Sequence, residues 1–238
     1  MGEARKMSDA SEAAIIESWK LNAAPWTSAV RERRIDSRRR VTDAAILEAI
    51  QAFQPKSVID MGCGEGWLAR ALAERGVDVL GVDAEPSLVD EARALGGGDF
   101  RTMSYADIAS GKLDAKADMV VCNFSLLGER SVELLVRAVP ALLLPRGVLV
   151  VQTLHPREAS GELAYEDGWR EGSWKGFGPE FSRAAPWYFR TFEGWARLFE
   201  EAGLPLIATY APADVETGKP MSAIFVCAIS HGEGETGG

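Results

Sequence analysis

The period of apolar positions changes repeatedly along the chain, and those changes predict its elements. Val58 to Met61 is a short apolar run. Three glycines at alternate positions follow, Gly62, Gly64 and Gly66, and from Trp67 the pattern turns amphipathic through Leu72. This reads as strand, tight turn and helix. The same alternation continues downstream. Strands are predicted over 78–82, 100–103, 117–122, 148–151, 205–210 and 222–229. Helices are predicted over 86–95, 131–144 and from Thr191, as N-cap, to Ala202. Upstream, Ala14, Ile15 and Trp19 fit a helix from Ser11 to Leu21, which Pro25 breaks, and residues 1 to about 11 read as frayed. Thr42 is a plausible N-cap for a helix burying Ala45, Ile46, Ala49, Ile50 and Phe53. Strands alternating with helices predict an α/β fold with a mostly parallel sheet.

Residues 156–188 interrupt the alternation. They are rich in glycine and aromatics, including Tyr165, Trp169, Trp174, Phe177, Phe181, Trp187 and Tyr188. A loop of this length inside a compact domain is usually functional. It reads as a substrate lid, with its aromatics either enclosing an organic substrate or packing the insertion onto the domain. The expected division is a helical cap over 1–40, a domain over 41–230 with that insertion, and a flexible tail over 231–238.

Composition narrows the classes. The chain has 238 residues, 47% of them hydrophobic, which allows a substantial core. Its formal net charge of −9 argues against a nucleic-acid partner. Cys63, Cys122 and Cys227 form no C-x-x-C pair. That gives neither a metal signature nor a disulfide framework and suits a reducing cytoplasm. No apolar run is long enough to span a membrane. Within this acidic chain Arg31, Arg33, Arg34, Arg38, Arg39 and Arg40 form a local basic patch. It is either a solvated, ion-paired face or a source of guanidinium groups for a carboxylate.

The glycine turn carries the candidate chemistry. Glycine lets a ligand touch the backbone and tolerates positive φ, and the free N–H groups of the new helix point into the same space. The dinucleotide pattern G-x-G-x-x-G needs a third glycine where Trp67 stands, and an indole there obstructs close helix-to-strand approach. A nicotinamide-linked oxidoreductase is therefore disfavoured. Asp83 ends the next strand, where a carboxylate can accept hydrogen bonds from both hydroxyls of a ribose.

The run Asp60-x-Gly62-x-Gly64-x-Gly66 resembles motif I of the class I S-adenosylmethionine-dependent methyltransferases. Three further landmarks resemble that family in order: Ser104-Tyr105-Ala106-Asp107-Ile108, Asn123-Phe124 after a buried strand, and Leu143-x-Pro145-x-Gly147 before another. In the family the first of these often begins with Asp, where this chain has Ser104. Trp19, Asn22, Trp26, Ser37-Arg38-Arg39 and Pro186 to Thr191 are similar to a bacterial branch of small-molecule methyltransferases. The resemblance implies a Rossmann-like three-layer sandwich with a seven-stranded, mostly parallel sheet and a C-terminal antiparallel strand pair. It implies S-adenosylmethionine as cofactor, S-adenosylhomocysteine as product, a small-molecule acceptor attacked through O, N or C, and a monomer or homodimer. Carried over by position, Asp60, Gly62, Cys63, Gly64, Gly66, Asp83, Ala84, Ser104, Tyr105, Asn123 and Phe124 are cofactor candidates. Trp26, Arg38, Trp169, Trp187, Tyr188 and Arg190 are substrate candidates, the last as partner for an acid group. His155, at the end of the fifth strand, is a candidate general base or a structural hydrogen-bonding group. No metal is implied. A non-catalytic cofactor-binding module would carry the same cofactor half.

Overall fold

Strand after strand is apolar on both sides, so the sheet must be covered on both faces. The computed structural model, which describes residues 2–229, shows how. The tail expected over 231–238 lies outside the described residues. Seven strands form one sheet: β1 (Ser57–Met61), β2 (Asp78–Asp83), β3 (Asp99–Thr102), β4 (Ala117–Asn123), β5 (Leu143–Thr153), β8 (Leu206–Tyr210) and β9 (Ala223–Ala228). Their order is β3-β2-β1-β4-β5-β9-β8. The first five are mutually parallel, and β9 runs antiparallel to both β5 and β8. This is the Rossmann-like architecture that the sequence predicts.

Alternation along β4 shows the layering. Met119 and Val121 pack with Ile46, Ile50, Leu68, Leu72 and Val89. Val120 and Cys122 pack with Leu135, Val139, Trp195 and Phe199. The first set belongs to α2 (Asp43–Gln51), α3 (Trp67–Ala73) and α4 (Pro86–Leu95). The second belongs to α6 (Arg130–Leu142) and α8 (Phe192–Glu201). The short α5 (Tyr105–Ala109) follows β3, and α7 (Pro156–Ser160) follows β5. Chain direction through the sheet reverses at β1, which has β2 on one side and β4 on the other. In such sheets the crevice beyond the strands' carboxyl ends at that point is where ligands bind.

Several expectations at the N-terminal end need correction. Residues from Gly2 onward are helical, not frayed, and Phe53 lies past the end of α2, 38% exposed. Helix α1 runs unbroken from Gly2 to Arg31, with Pro25 inside it. Proline removes the N–H that would bond the carbonyl of Leu21. The helix continues because its flanks are anchored elsewhere: Asn22 is fully buried, and its side chain exchanges two hydrogen bonds with the backbone of Ser182, at 2.7 and 2.9 Å. Thr42 does not cap α2. It ends a π-helical turn, Arg38–Thr42, that runs directly into α2, and its side chain makes no cap hydrogen bond. Inside the insertion, β6 (Gly168–Arg170) and β7 (Trp187–Phe189) form a small antiparallel sheet of their own.

Candidate functional site

The loop from β1 to α3 is held open by close backbone approaches. Gly62 has φ +78°, and a Cβ there would stand 2.4 Å from Cβ of Ser125. Ser125 in turn donates to the Met61 carbonyl at 2.6 Å, so the loop after β4 rests on the glycine turn. Gly66 has φ +83° and is needed for a different reason, since a Cβ there would meet Ala92 at 2.9 Å and Phe100 at 3.1 Å. Its bareness lets α3 start against α4 and β3. Asp83 binds the turn to β2, accepting from the Gly64 N–H and the Glu85 N–H, each at 2.9 Å. Burial raises its pKa, and those two N–H groups oppose the rise. Asp60 is 2% exposed. Burial, and after it the charge of Asp83, push its pKa up from 3.8 to about 7.

These loops enclose a cavity of about 360 Å³. Its floor is Gly62 and Gly64 after β1, Asp83 and Ala84 after β2, Ser104 and Tyr105 after β3, and Asn123 and Phe124 after β4. Ser104 caps α5 in a reciprocal box with Asp107, accepting the Asp107 N–H at 3.1 Å. Tyr105 donates its hydroxyl to the Ser125 carbonyl at 3.2 Å. Phe124 holds φ +54°, a strained value for an aromatic residue. Oδ1 of Asn123 is buried with no partner among the described residues.

Helix α1 supplies the roof through Glu12, Ile15, Ile16, Trp19 and Trp26. It is tied down at both ends. Glu12 accepts the N–H of Glu129 (2.9 Å) and of Ser131 (3.1 Å), and the Ser131 hydroxyl (2.6 Å), at the start of α6. Arg31 pairs with Glu65 at 3.2 Å and Glu91 at 2.8 Å. Glu65 lies within the glycine turn, is buried, and also pairs with Arg70 at 2.6 Å.

The sequence pattern of a methyltransferase domain matches residues 31–209, most of the chain. The chain belongs to the methyltransferase-domain family. It is 35% identical to a ubiquinone biosynthesis O-methyltransferase of Xanthomonas euvesicatoria over 112 residues, 45% of this chain and 46% of that protein. The chain thus matches about half the length of this curated relative. Among solved structures, an S-adenosylmethionine-dependent methyltransferase of Mesorhizobium loti superposes with TM-score 0.57 at 23% identity, covering 76% of this chain and 96% of that one. The 1,6-didemethyltoxoflavin-N1-methyltransferase of Burkholderia thailandensis, solved with that substrate and S-adenosylhomocysteine, gives TM-score 0.60 at 17% identity, covering 89% and 88%.

Within this methyltransferase domain the predicted residues divide. Gly62, Gly64, Asp83, Ala84, Ser104, Tyr105, Asn123, Phe124 and Trp26 line one cavity. Asp60, Cys63 and Gly66 do not line it; Cys63 is a buried core thiol whose pKa burial pushes up. No residue of the insertion lines the cavity. Trp174, Phe177 and Phe181 stack on one another and on Trp19 and Trp26, so they buttress α1 without lining the cavity. Trp169, Trp187 and Tyr188 also lie off the cavity. Trp169 packs on Tyr188 and donates to Glu129 at 3.1 Å; Trp187 packs on Phe189; the Tyr188 N–H bonds the Leu127 carbonyl at 2.7 Å.

Arg190 is not free for a substrate acid. Its guanidinium donates to the carbonyls of Gly128 and Glu129, each at 2.9 Å, and stacks on Tyr188 and Trp195. It therefore holds the 124–129 loop in place from behind. His155 is absent from the cavity wall. Its Nδ1 accepts the Glu158 N–H at 3.4 Å as the cap of α7, and its ring edge meets Phe192, so the base role has no geometric support. Arg38 lies behind Trp26 and Trp67, 5.7 and 4.6 Å from the ring centres, and pairs with Asp43 at 2.9 Å. Its Nη2 is buried with no partner among the described residues. Other members of the basic patch are ion-paired: Arg34 with Glu180, Arg39 with Asp36, and Arg40 with Asp214 and Glu216. Sequence reasoning missed Glu12, Glu65 and Ser125 entirely.

Proposed function

We propose that this chain transfers a methyl group from S-adenosylmethionine to an O, N or C nucleophile of a small organic molecule. One observation carries the reading: the glycine turn and the Asp83 carboxylate, joined by a hydrogen bond, face the same cavity at the reversal point of the sheet. Each carboxylate oxygen of Asp83 accepts one backbone N–H and keeps acceptor capacity for a ribose hydroxyl. Ala84, Ser104 and Tyr105 are assigned to the base and Asn123 to the polar end, since all four line the cavity. When bound, the cofactor supplies an already activated methyl on a sulfonium. What remains for the protein is to align the two partners and exclude water, and alignment is worth about 7–11 kcal/mol in favourable cases. Helix α1 is the lid in this reading. The three buried free cysteines fit a reducing, cytoplasmic setting.

Calorimetric titration with S-adenosylhomocysteine tests the assignment. The wild type should bind, and Asp83→Ala should weaken binding by about a hundredfold, the loss of two hydrogen bonds to a desolvated carboxylate. A wild type that binds neither S-adenosylhomocysteine nor S-adenosylmethionine, or that responds to NADH instead, would overturn it.

A further inference from the structure

We infer that the methyl acceptor is uncharged or cationic and largely apolar, without a carboxylate or phosphate, and that Glu12 sets this selectivity. The inference rests on the methyl-transfer reading and adds the chemical class of the acceptor.

Among the residues whose side chains are described, the cavity wall carries three carboxylic side chains, Glu12, Asp83 and Glu85, and no Lys, Arg or His. The nearby arginines are committed. Arg31 is held by Glu65 and Glu91, Arg190 by two backbone carbonyls, and Arg38 by Asp43, behind Trp26 and Trp67 and off the cavity wall.

The start of α6, which reaches the wall at Ser131, contains donors suited to an anion. They are the N–H groups of Glu129 and Ser131 and the Ser131 hydroxyl, at the positive end of α6. Glu12 from α1 already occupies all three. The protein thus fills its own anion position with a fixed carboxylate. An acid group entering the cavity beside S-adenosylhomocysteine meets that charge and no cationic side chain among those described. Ile15, Ile16, Trp19, Phe124 and Leu127 make the surrounding wall apolar. Two like charges ~6 Å apart at an effective dielectric of ~20 discriminate by about a hundredfold.

Three matched probes test this: phenylethylamine, phenylethanol and phenylacetate, titrated into protein saturated with S-adenosylhomocysteine. Binding is read by tryptophan fluorescence, since Trp19 and Trp26 face the cavity, and by calorimetry. The amine and the alcohol should bind, with phenylacetate at least ~30-fold weaker. Glu12→Gln should shrink that gap by about tenfold or more, and Glu12→Asp, which keeps the charge, should preserve it. The inference fails if phenylacetate binds the wild type as tightly as phenylethanol, if none of the three binds, or if folded Glu12→Gln keeps the full gap. The wild-type comparison needs no variant, so a misfolded Glu12→Gln leaves it intact. Absence of S-adenosylhomocysteine binding is a separate result and sinks the functional reading itself.

Discussion

Asp60→Asn should flatten the pH dependence of folding stability between about pH 5 and pH 8. Asp60 sits at the carboxyl end of β1, 2% exposed. No hydrogen bond from the described residues offsets the loss of water, and its pKa rises from 3.8 to about 7. Unfolded, the same group titrates near its ordinary value. Between those two values the folded state holds a proton that the unfolded chain has released. The associated stability is therefore complete below about pH 4 and is lost as pH climbs through about 7. Each pH unit is worth about 1.4 kcal/mol, so the full effect is about 4 kcal/mol and the part between about pH 5 and pH 8 is about 3 kcal/mol. The lowered carboxylates act elsewhere. Asp107 is held near 2, chiefly by Lys112, and Asp118 and Asp214 are also lowered, so their stabilisation is lost only as pH falls below the ordinary carboxylate range. Asp83 is raised in both proteins, so its contribution largely cancels in the comparison. Urea unfolding followed by circular dichroism at the two pH values gives the double difference. The wild type should lose about 3 kcal/mol more than the variant on going to the higher pH. Equal losses, within about 0.5 kcal/mol, would refute the reasoning. A buried acid this costly is retained where function needs it, so the variant should also bind S-adenosylhomocysteine more weakly.

Two further substitutions separate support from chemistry. Arg190→Ala leaves two buried carbonyls unpaired and should cost about 3 kcal/mol of stability while weakening S-adenosylhomocysteine binding through the 124–129 loop; thermal melts and calorimetry read both, and an unchanged melting temperature would contradict the clamp. His155→Ala removes a helix cap and a ring contact with Phe192 and should lower stability by about 1–2 kcal/mol with methyl-transfer rate unchanged within about twofold; a loss of rate greater than about tenfold would restore the base role.

The sheet was legible because its signals are local. Apolar runs bounded by Gly76, Gly96 and Gly203 mark where helices stop, and each of these glycines does take positive φ. The glycine turn and Asp83 were legible for the same reason: each lies at a strand end, where sequence position fixes spatial position. Helix α1 was misread because Pro25 is also a local signal, and here tertiary contacts override it. The Asn22–Ser182 pair spans 160 positions, and no window around Pro25 contains that information. The insertion's aromatics were identified as a cluster, but composition cannot tell which side of a helix they pack against.

The placement of Glu12 had one readable trace. Helix α6 begins at Arg130, and Glu129 stands at its cap position without a side-chain cap hydrogen bond. A helix start that lacks a local cap still has N–H groups to satisfy, and when it borders a cavity their partner comes from elsewhere in the chain or from a ligand. Glu12 is that partner, reaching across from α1. The uncapped start of α6 and the acid on the roof are therefore one feature read from two places in the sequence. That shared hydrogen bonding joins the roof to the loop after β4, as the Arg31–Glu65 pair joins it to the glycine turn. The loop after β1 and the loop after β4 thus set the position of one helix, and the shape of the cavity follows from that constraint.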